Sequence, residues 1–174
     1  MRFQIVIAAL VASASALPLA ARSIFDKTST ISSTKHINAP VADVVAALHD
    51  FERMIKLNPL VTKAEQDPND PNTFSVTDSV PLFLGISIPT TYTAKFQALP
   101  DGMNTDNAVA AGVSLHNEWR AVANASGGTD LTETDTLTAN ILLSGIITSE
   151  LTKSHDQLVD TLAQQLEAAA AGSA

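Results

Sequence analysis

The chain contains no cysteine. Disulfides, thiol nucleophiles and thiolate metal sites are excluded together, so the fold must be held by packing alone. The histidines, His36, His49, His116 and His155, include no pair at i, i+4 spacing, and without thiols the sequence carries no metal-binding motif. No metal and no cofactor is expected. There is no phosphate-cradling glycine loop, and no serine stands in a Gly-x-Ser-x-Gly setting, which counts against nucleotide-dependent enzymes and serine hydrolases. Beyond the N-terminus no segment approaches the roughly 20 apolar residues of a membrane-spanning helix. Positive charge is scarce: 10 Lys plus Arg face 18 Asp plus Glu, a formal net charge of −8 at pH 7. An acidic surface repels phosphate backbones and anionic lipid, so nucleic-acid partners are not expected.

What is present begins with a leader. Arg2 is followed by an unbroken apolar run over residues 5–12, then by Ser13, Ala14, Ser15 and Ala16 before Leu17 and Pro18. A short apolar core between a basic start and small residues reads as a secretory signal peptide, residues 1–16. Its removal leaves 158 of the 174 residues, the size of one domain able to bury its own core. The expected destination is extracellular, or else a compartment of the secretory pathway. Asn124-Ala125-Ser126 forms a glycosylation sequon just before Gly127-Gly128, where a turn would expose Asn124.

Residues 17–27 show no period and read as a flexible lead-in to a single domain over 28–170. Residues 28–37 alternate polar with β-branched side chains, Ile31 and Ile37 on one side, which predicts a strand ended by Pro40. Pro40 suits a first helical turn, and Val41, Val44, Val45 and Leu48 recur at helical spacing. Asp50 and Phe51 open a second short helix through Met54, Ile55 and Leu57. Turn chemistry at 58–59, 67–72, 100–102 and 127–128, with a break at Gly112, then divides 60–66, 73–80, 86–99, 104–111, 114–123 and 129–139 into strands. From residue 141 the period changes. Ile147, Leu151, His155, Leu158, Leu162 and Leu166 recur at steps of three and four, one long amphipathic helix. The fold class predicted is α+β. About seven antiparallel strands curl around the C-terminal helix and leave an apolar space beneath it, with two short helices after strand 1.

His36-Ile37-Asn38-Ala39-Pro40, followed by Val44, Val45, Leu48, Asp50, Phe51 and Asn58-Pro59-Leu60-Val61, resembles the opening of START-like proteins. These form the SRPBCC superfamily of birch-pollen allergens, lipid-transfer START domains and polyketide cyclases. The order of elements fits that superfamily across nearly the whole chain after the leader. The leader and the cysteine-free, Ala- and Thr-rich body are similar to secreted fungal members. The resemblance implies a helix-grip fold, its first strand paired with its last and its short helices cradling the far end of the long one. It implies a fold and no particular chemistry.

Strand alternation puts Phe74, Val76, Asp78 and Val80 on one side of a strand, as it does Ile88, Tyr92, Ala94 and Phe96, and Leu115, Asn117, Trp119 and Ala121. Phe74, Val76, Tyr92, Phe96 and Trp119, with Leu151 of the helix, are the candidate ligand-binding residues. The competing reading is that they fill an ordinary core. On the last strand, Leu131 and Leu137 set a parity that carries Glu133 and Asp135 inward, towards His155 in the apolar stripe of the helix. These three are the candidate catalytic residues. A histidine and carboxylates in an apolar space are what general acid and base work on an enolisable carbonyl compound requires. In the structural alternative, Lys35 neutralises Glu133 or Asp135 across the first and last strands, and His155 caps a polar spot between helix and sheet. Leu82, Phe83 and Leu84 are the expected apolar lip of the cavity entrance, or a loop folded onto the core.

Two functions follow as expectations. One is a secreted carrier of a hydrophobic small molecule such as a sterol, fatty acid or polyketide, without stable membrane insertion. The other is a cofactor-free cyclase or dehydratase of secondary metabolism in which Glu133, Asp135 or His155 moves protons.

Overall fold

The structure is a computed structural model and describes residues 26–81, 86–109, 112–125 and 127–172. The expected signal peptide and the expected lip at Leu82, Phe83 and Leu84 lie outside these residues. The elements run β1 (Asp26–Ile37), α1 (Val41–Leu48), α2 (Phe51–Leu57), β2 (Val61–Asp67), β3 (Asp70–Pro81), β4 (Ser87–Leu99), β5 (Gly102–Val109), β6 (Ser114–Ala123), β7 (Thr129–Asn140) and α3 (Ile141–Gly172). All the strands join one antiparallel sheet in the order β1-β7-β6-β5-β4-β3-β2.

Local chemistry explains most of the boundaries. Pro40 occupies the N-cap of α1 in extended geometry. Asp50 caps α2, its carboxylate accepting from the Arg53 amide at 3.1 Å, a contact worth about 1 kcal/mol. His49 Nε2 donates to the carbonyls of Leu99 at 3.0 Å and Gly102 at 2.9 Å, tying the α1–α2 elbow to the β4–β5 turn.

Several expected boundaries move: β1 begins at Asp26, inside the expected lead-in of 17–27, and two further shifts have a local cause. The turn over 67–72 contracts to Pro68-Asn69, and β3 starts at Asp70 with Pro71 inside it. Aspartates do the closing: Asp67 accepts from the Asn69 amide at 2.8 Å, and Asp70 from the Asn72 amide at 3.0 Å and the Thr73 hydroxyl at 2.8 Å. β5 begins at Gly102, two residues early. A Cβ there would stand 1.9 Å from the carbonyl oxygen of Trp119, so only glycine lets β5 and β6 pair to this point.

β7 alternates buried and half-buried residues along its whole length. It pairs with β1 without a break from Asp26↔Asn140 to Ile37↔Thr129. Outward hydroxyls cross-link the two strands, Thr28 to Thr138 at 3.0 Å and Thr34 to Thr132 at 2.9 Å. Leu131 meets the core with Ile37, Val76 and, from α3, Leu162, and Leu137 is buried further along the strand, each 0–1% exposed. On the other flank α2 packs on β4, with Phe51 stacked on Phe96 at 4.8 Å between ring centres.

Candidate functional site

A cavity of about 70 Å³ lies between the concave face of the sheet, α2 and α3. Ligand pockets usually offer roughly 300–1,000 Å³. As bounded by the described residues, this one is smaller than that. Val76, Tyr92, Phe96 and Trp119 line it, joined by Met54 and Ile55 from α2, Met103 from β5 and Leu158 from α3. Phe74 lies behind the wall, edge-on to Phe96 at 5.7 Å. Leu151 is half-buried one turn before His155, and neither it nor Phe74 lines the cavity. The polar part of the wall consists of Asn58, Thr105, Asn107 and His155, with the Tyr92 hydroxyl.

The alternation of β7 buries Glu133 and Asp135, and α3 brings His155 down upon them. Their side chains are 4%, 5% and 14% exposed respectively. His155 Nδ1 stands 2.5 Å from Glu133 Oε1 and 3.4 Å from Asp135 Oδ2. Since ionised carboxylates only accept, Nδ1 carries the hydrogen. Burial alone would pull the imidazole pKa down. The hydrogen bonds to Asp135 and Glu133 and their charges outweigh it and push His155 up to about 10. Burial pushes Glu133 up to about 7 against the opposing pull of His155. At neutral pH, His155 is therefore an imidazolium. Its Nδ1 is spent on the carboxylates, and Nε2, with no partner among the described residues, is the nitrogen left for the cavity.

Lys35 does not neutralise these carboxylates. The β1–β7 register sets Ser33 opposite Glu133 and Ile31 opposite Asp135, while Lys35 falls opposite Leu131. Its ammonium reaches instead to Asp160 on α3, at 2.6 Å on the protein surface. The cation that the buried pair receives comes from the helix.

The second oxygen of Asp135 accepts from Asn117 Nδ2 at 2.5 Å, and Asn117 Oδ1 accepts from Asn107 Nδ2 at 2.8 Å. A polar chain thus runs across β7, β6 and β5 back to the cavity wall. Asn107 was not singled out in the sequence. The signal was there in the inward parity of Met103, Thr105 and Asn107, masked because two of the three are polar. Further along the face, Asp78 accepts from the Tyr92 hydroxyl at 3.4 Å. Burial pushes Asp78 up to about 6, against the pull of Tyr92 and His155. Burial and then the Asp78 charge raise Tyr92 too, so its phenol stays protonated. Outside the site, the amide of the sequon residue Asn124 donates to Asp130 at 2.6 Å.

Glu133, Asp135 and His155 each offer one ligand atom, all within 4.8 Å of one another, and are the group among the described residues that could hold a metal ion. The argument against metal from spacing along the chain does not reach such a cluster, assembled from β7 and α3. Geometry bears on it directly. Two ligands about 2.1 Å from one tetrahedral ion stand about 3.4 Å apart; Nδ1 and Asp135 Oδ2 have that separation, 3.4 Å, whereas Nδ1 and Glu133 Oε1 are at hydrogen-bonding distance, 2.5 Å. As arranged, the position between them holds a proton.

An antiparallel sheet gripping a long C-terminal helix, with two short helices after the first strand, is the helix-grip fold of the START-like (SRPBCC) superfamily. Among solved structures it is similar to the Zhui aromatase/cyclase of a Streptomyces species, at 15% identity and a TM-score of 0.60, over 82% of this chain and 98% of that one. It is similar to a point mutant of Thalictrum flavum norcoclaurine synthase in complex with a transition-state analogue, at 14% identity and a TM-score of 0.60, over 83% of this chain and 97% of that one. It also resembles StfQ, a di-domain aromatase/cyclase from the steffimycin biosynthetic pathway, at 16% identity and a TM-score of 0.60, over 83% of this chain and 52% of that one. The chain spans about half the length of such di-domain proteins. At these identities the likeness is one of fold. The chain belongs to the family described as a domain of unknown function, DUF7053, which matches residues 30–168. No curated protein matches the sequence.

Proposed function

We propose that the cavity binds a small, largely apolar molecule bearing an oxygen acceptor, and that His155, held by Glu133 and Asp135, moves protons on it. The reaction type is that of a cofactor-free cyclase or dehydratase. The observation that carries this reading is the buried His155–Glu133–Asp135 cluster, which presents His155 at the wall of the cavity. A protein that only carries an apolar molecule needs no such group, and burying ions is unfavourable by several kcal/mol each before pairing. An imidazolium and an acid poised at about 7 are the equipment of proton transfer at neutral pH. Solved structures of the same fold include proteins named as aromatase/cyclases, which agrees with this reading.

In this chemistry Nε2–H of His155 hydrogen-bonds a substrate carbonyl, stabilises the negative charge that grows on its oxygen and passes its proton to that oxygen. When Nε2 gives up its proton, the neutral ring keeps Nδ1–H bonded to Glu133. The ring is thereby held in the tautomer and orientation needed to take a proton back.

A second reading, a carrier, is favoured by the apolar majority of the wall, Met54, Phe96, Met103, Trp119 and Leu158 among it. The discriminating experiment identifies by native mass spectrometry what co-purifies from the secreting host, then measures its turnover by wild type, Glu133→Gln and His155→Ala. Loss of turnover with binding retained supports the enzyme. Binding without turnover in the wild type sinks it and leaves the carrier.

Export belongs to the same proposal. Its support is the leader over residues 1–16, with Asn124 as the glycan acceptor. Protein recovered from the medium is expected to begin at Leu17; a chain retained in the cell with its leader intact would overturn export.

A further inference from the structure

The relay Asn107–Asn117–Asp135 has a direction, and the buried carboxylate sets it. At Asp135 Oδ1 the contact is made by the amide nitrogen of Asn117, which donates to it. That turns Asn117 Oδ1 towards β5, where it accepts from Asn107 Nδ2. The Asn107 amide is oriented in its turn. One hydrogen of its nitrogen is committed to Asn117, its carbonyl oxygen has no partner among the described residues, and the residue lines the same cavity as His155. An asparagine free to flip would present either a donor or an acceptor to a ligand. Here a flip would set two acceptors, or two donors, against each other at each link, so the choice is removed.

Among its polar wall groups, which also include Asn58, Thr105 and the Tyr92 hydroxyl, the cavity therefore holds a fixed donor, His155 Nε2–H, and a fixed acceptor, Asn107 Oδ1. We infer that Asn107 is a specificity-determining residue, and that the molecule bound is a hydroxyl-bearing carbonyl compound, its carbonyl oxygen taken by His155 and its hydroxyl donated to Asn107. Asn117 is the positioning residue that makes Asn107 an acceptor. The inference rests on the reading of the cavity as the binding site. It names a recognition feature that neither a hydrocarbon nor a simple ketone could satisfy. A ligand with the carbonyl alone leaves Asn107 Oδ1 unpaired once water is displaced, which is where selectivity arises.

The test uses calorimetric titration of the mature protein at pH 7 with meta- and para-hydroxyacetophenone, their methoxy counterparts and acetophenone. In the wild type, at least one hydroxy ketone is expected to bind about threefold to tenfold more tightly than its methoxy ether, the range of one neutral hydrogen bond. Asn107→Leu should abolish that preference. Asn117→Leu should weaken it with Asn107 still in place. Equal binding of every hydroxy and methoxy pair by the wild type overturns the inference without recourse to any variant, as does a preference that survives in folded Asn107→Leu. If no ketone binds at millimolar concentration, the inference and the binding-site reading fall together. If the preference is found but His155→Ala and Glu133→Gln turn over substrate as well as wild type, only the proposed chemistry fails.

Discussion

Replacing His155 with alanine removes the cation that faces two carboxylates buried to 4% and 5% exposure. Breaking a buried ion pair by deleting one partner typically destabilises by about 3–5 kcal/mol, because the other charge stays behind unpaired. A second route gives a similar ceiling. An imidazole held at about 10 against an ordinary 6.5 corresponds to roughly 5 kcal/mol of differential stabilisation. That contribution is complete below the unfolded imidazole value and declines as pH rises towards about 10. The loss should accordingly be about 3–5 kcal/mol at pH 6 and no larger at pH 8. In melting temperature the pH 6 value is on the order of 10 °C for a domain of this size. Urea unfolding followed by circular dichroism and by the fluorescence of Trp119 measures both. Adding Glu133→Gln to His155→Ala should recover part of the loss at pH 8. A loss under about 1 kcal/mol at pH 6, or one that grows as pH rises, would refute the assignment of His155 as the counter-ion.

Wild-type stability should fall as pH rises. His155, Glu133 and Asp78 all hold their protons more tightly in the folded state, at about 10, 7 and 6. Each contribution is complete below the unfolded value and lost as pH climbs through the folded one. Urea midpoints are therefore expected to peak near pH 4–5 and decline towards pH 10; a maximum at pH 8 would contradict the shifts. Equimolar zinc at pH 7 should leave the melting temperature unchanged, because a proton already occupies the position between Nδ1 and Oε1; a stoichiometric rise of several degrees would assign the cluster to a metal instead. Gly128→Ala should destabilise by at least about 1 kcal/mol, since φ there is +74° and a Cβ would come within 2.5 Å of the Ile37 carbonyl oxygen. An unchanged urea midpoint would show that the β6–β7 turn can relax.

Side-chain periodicity is a local property, and through it the sequence by itself determined the faces. The period of two in β7, anchored by Leu131 and Leu137, put Glu133 and Asp135 on the inner side of the sheet, and the helical repeat from Leu151 to Leu166 put His155 in the apolar stripe of α3. Pro40 and Asp50 were enough to mark where α1 and α2 begin. Those signals, with the turn residues, sufficed for the α+β order of elements, and the resemblance to START-like proteins implied the helix-grip arrangement. Register and the placement of the helix over the sheet come from the sum of packing across elements far apart in the chain, and no local pattern carries them. Only the tertiary structure decided that Lys35 stands opposite Leu131 and turns to Asp160, so that the buried carboxylates are left to His155. The adjacency of β5, β6 and β7 likewise links Asn107 through Asn117 to Asp135, and the closeness of α2 and α3 to the sheet leaves about 70 Å³ of space. The volume depends on the distance between packed layers, which composition cannot state, and it decides the size of molecule the protein can take.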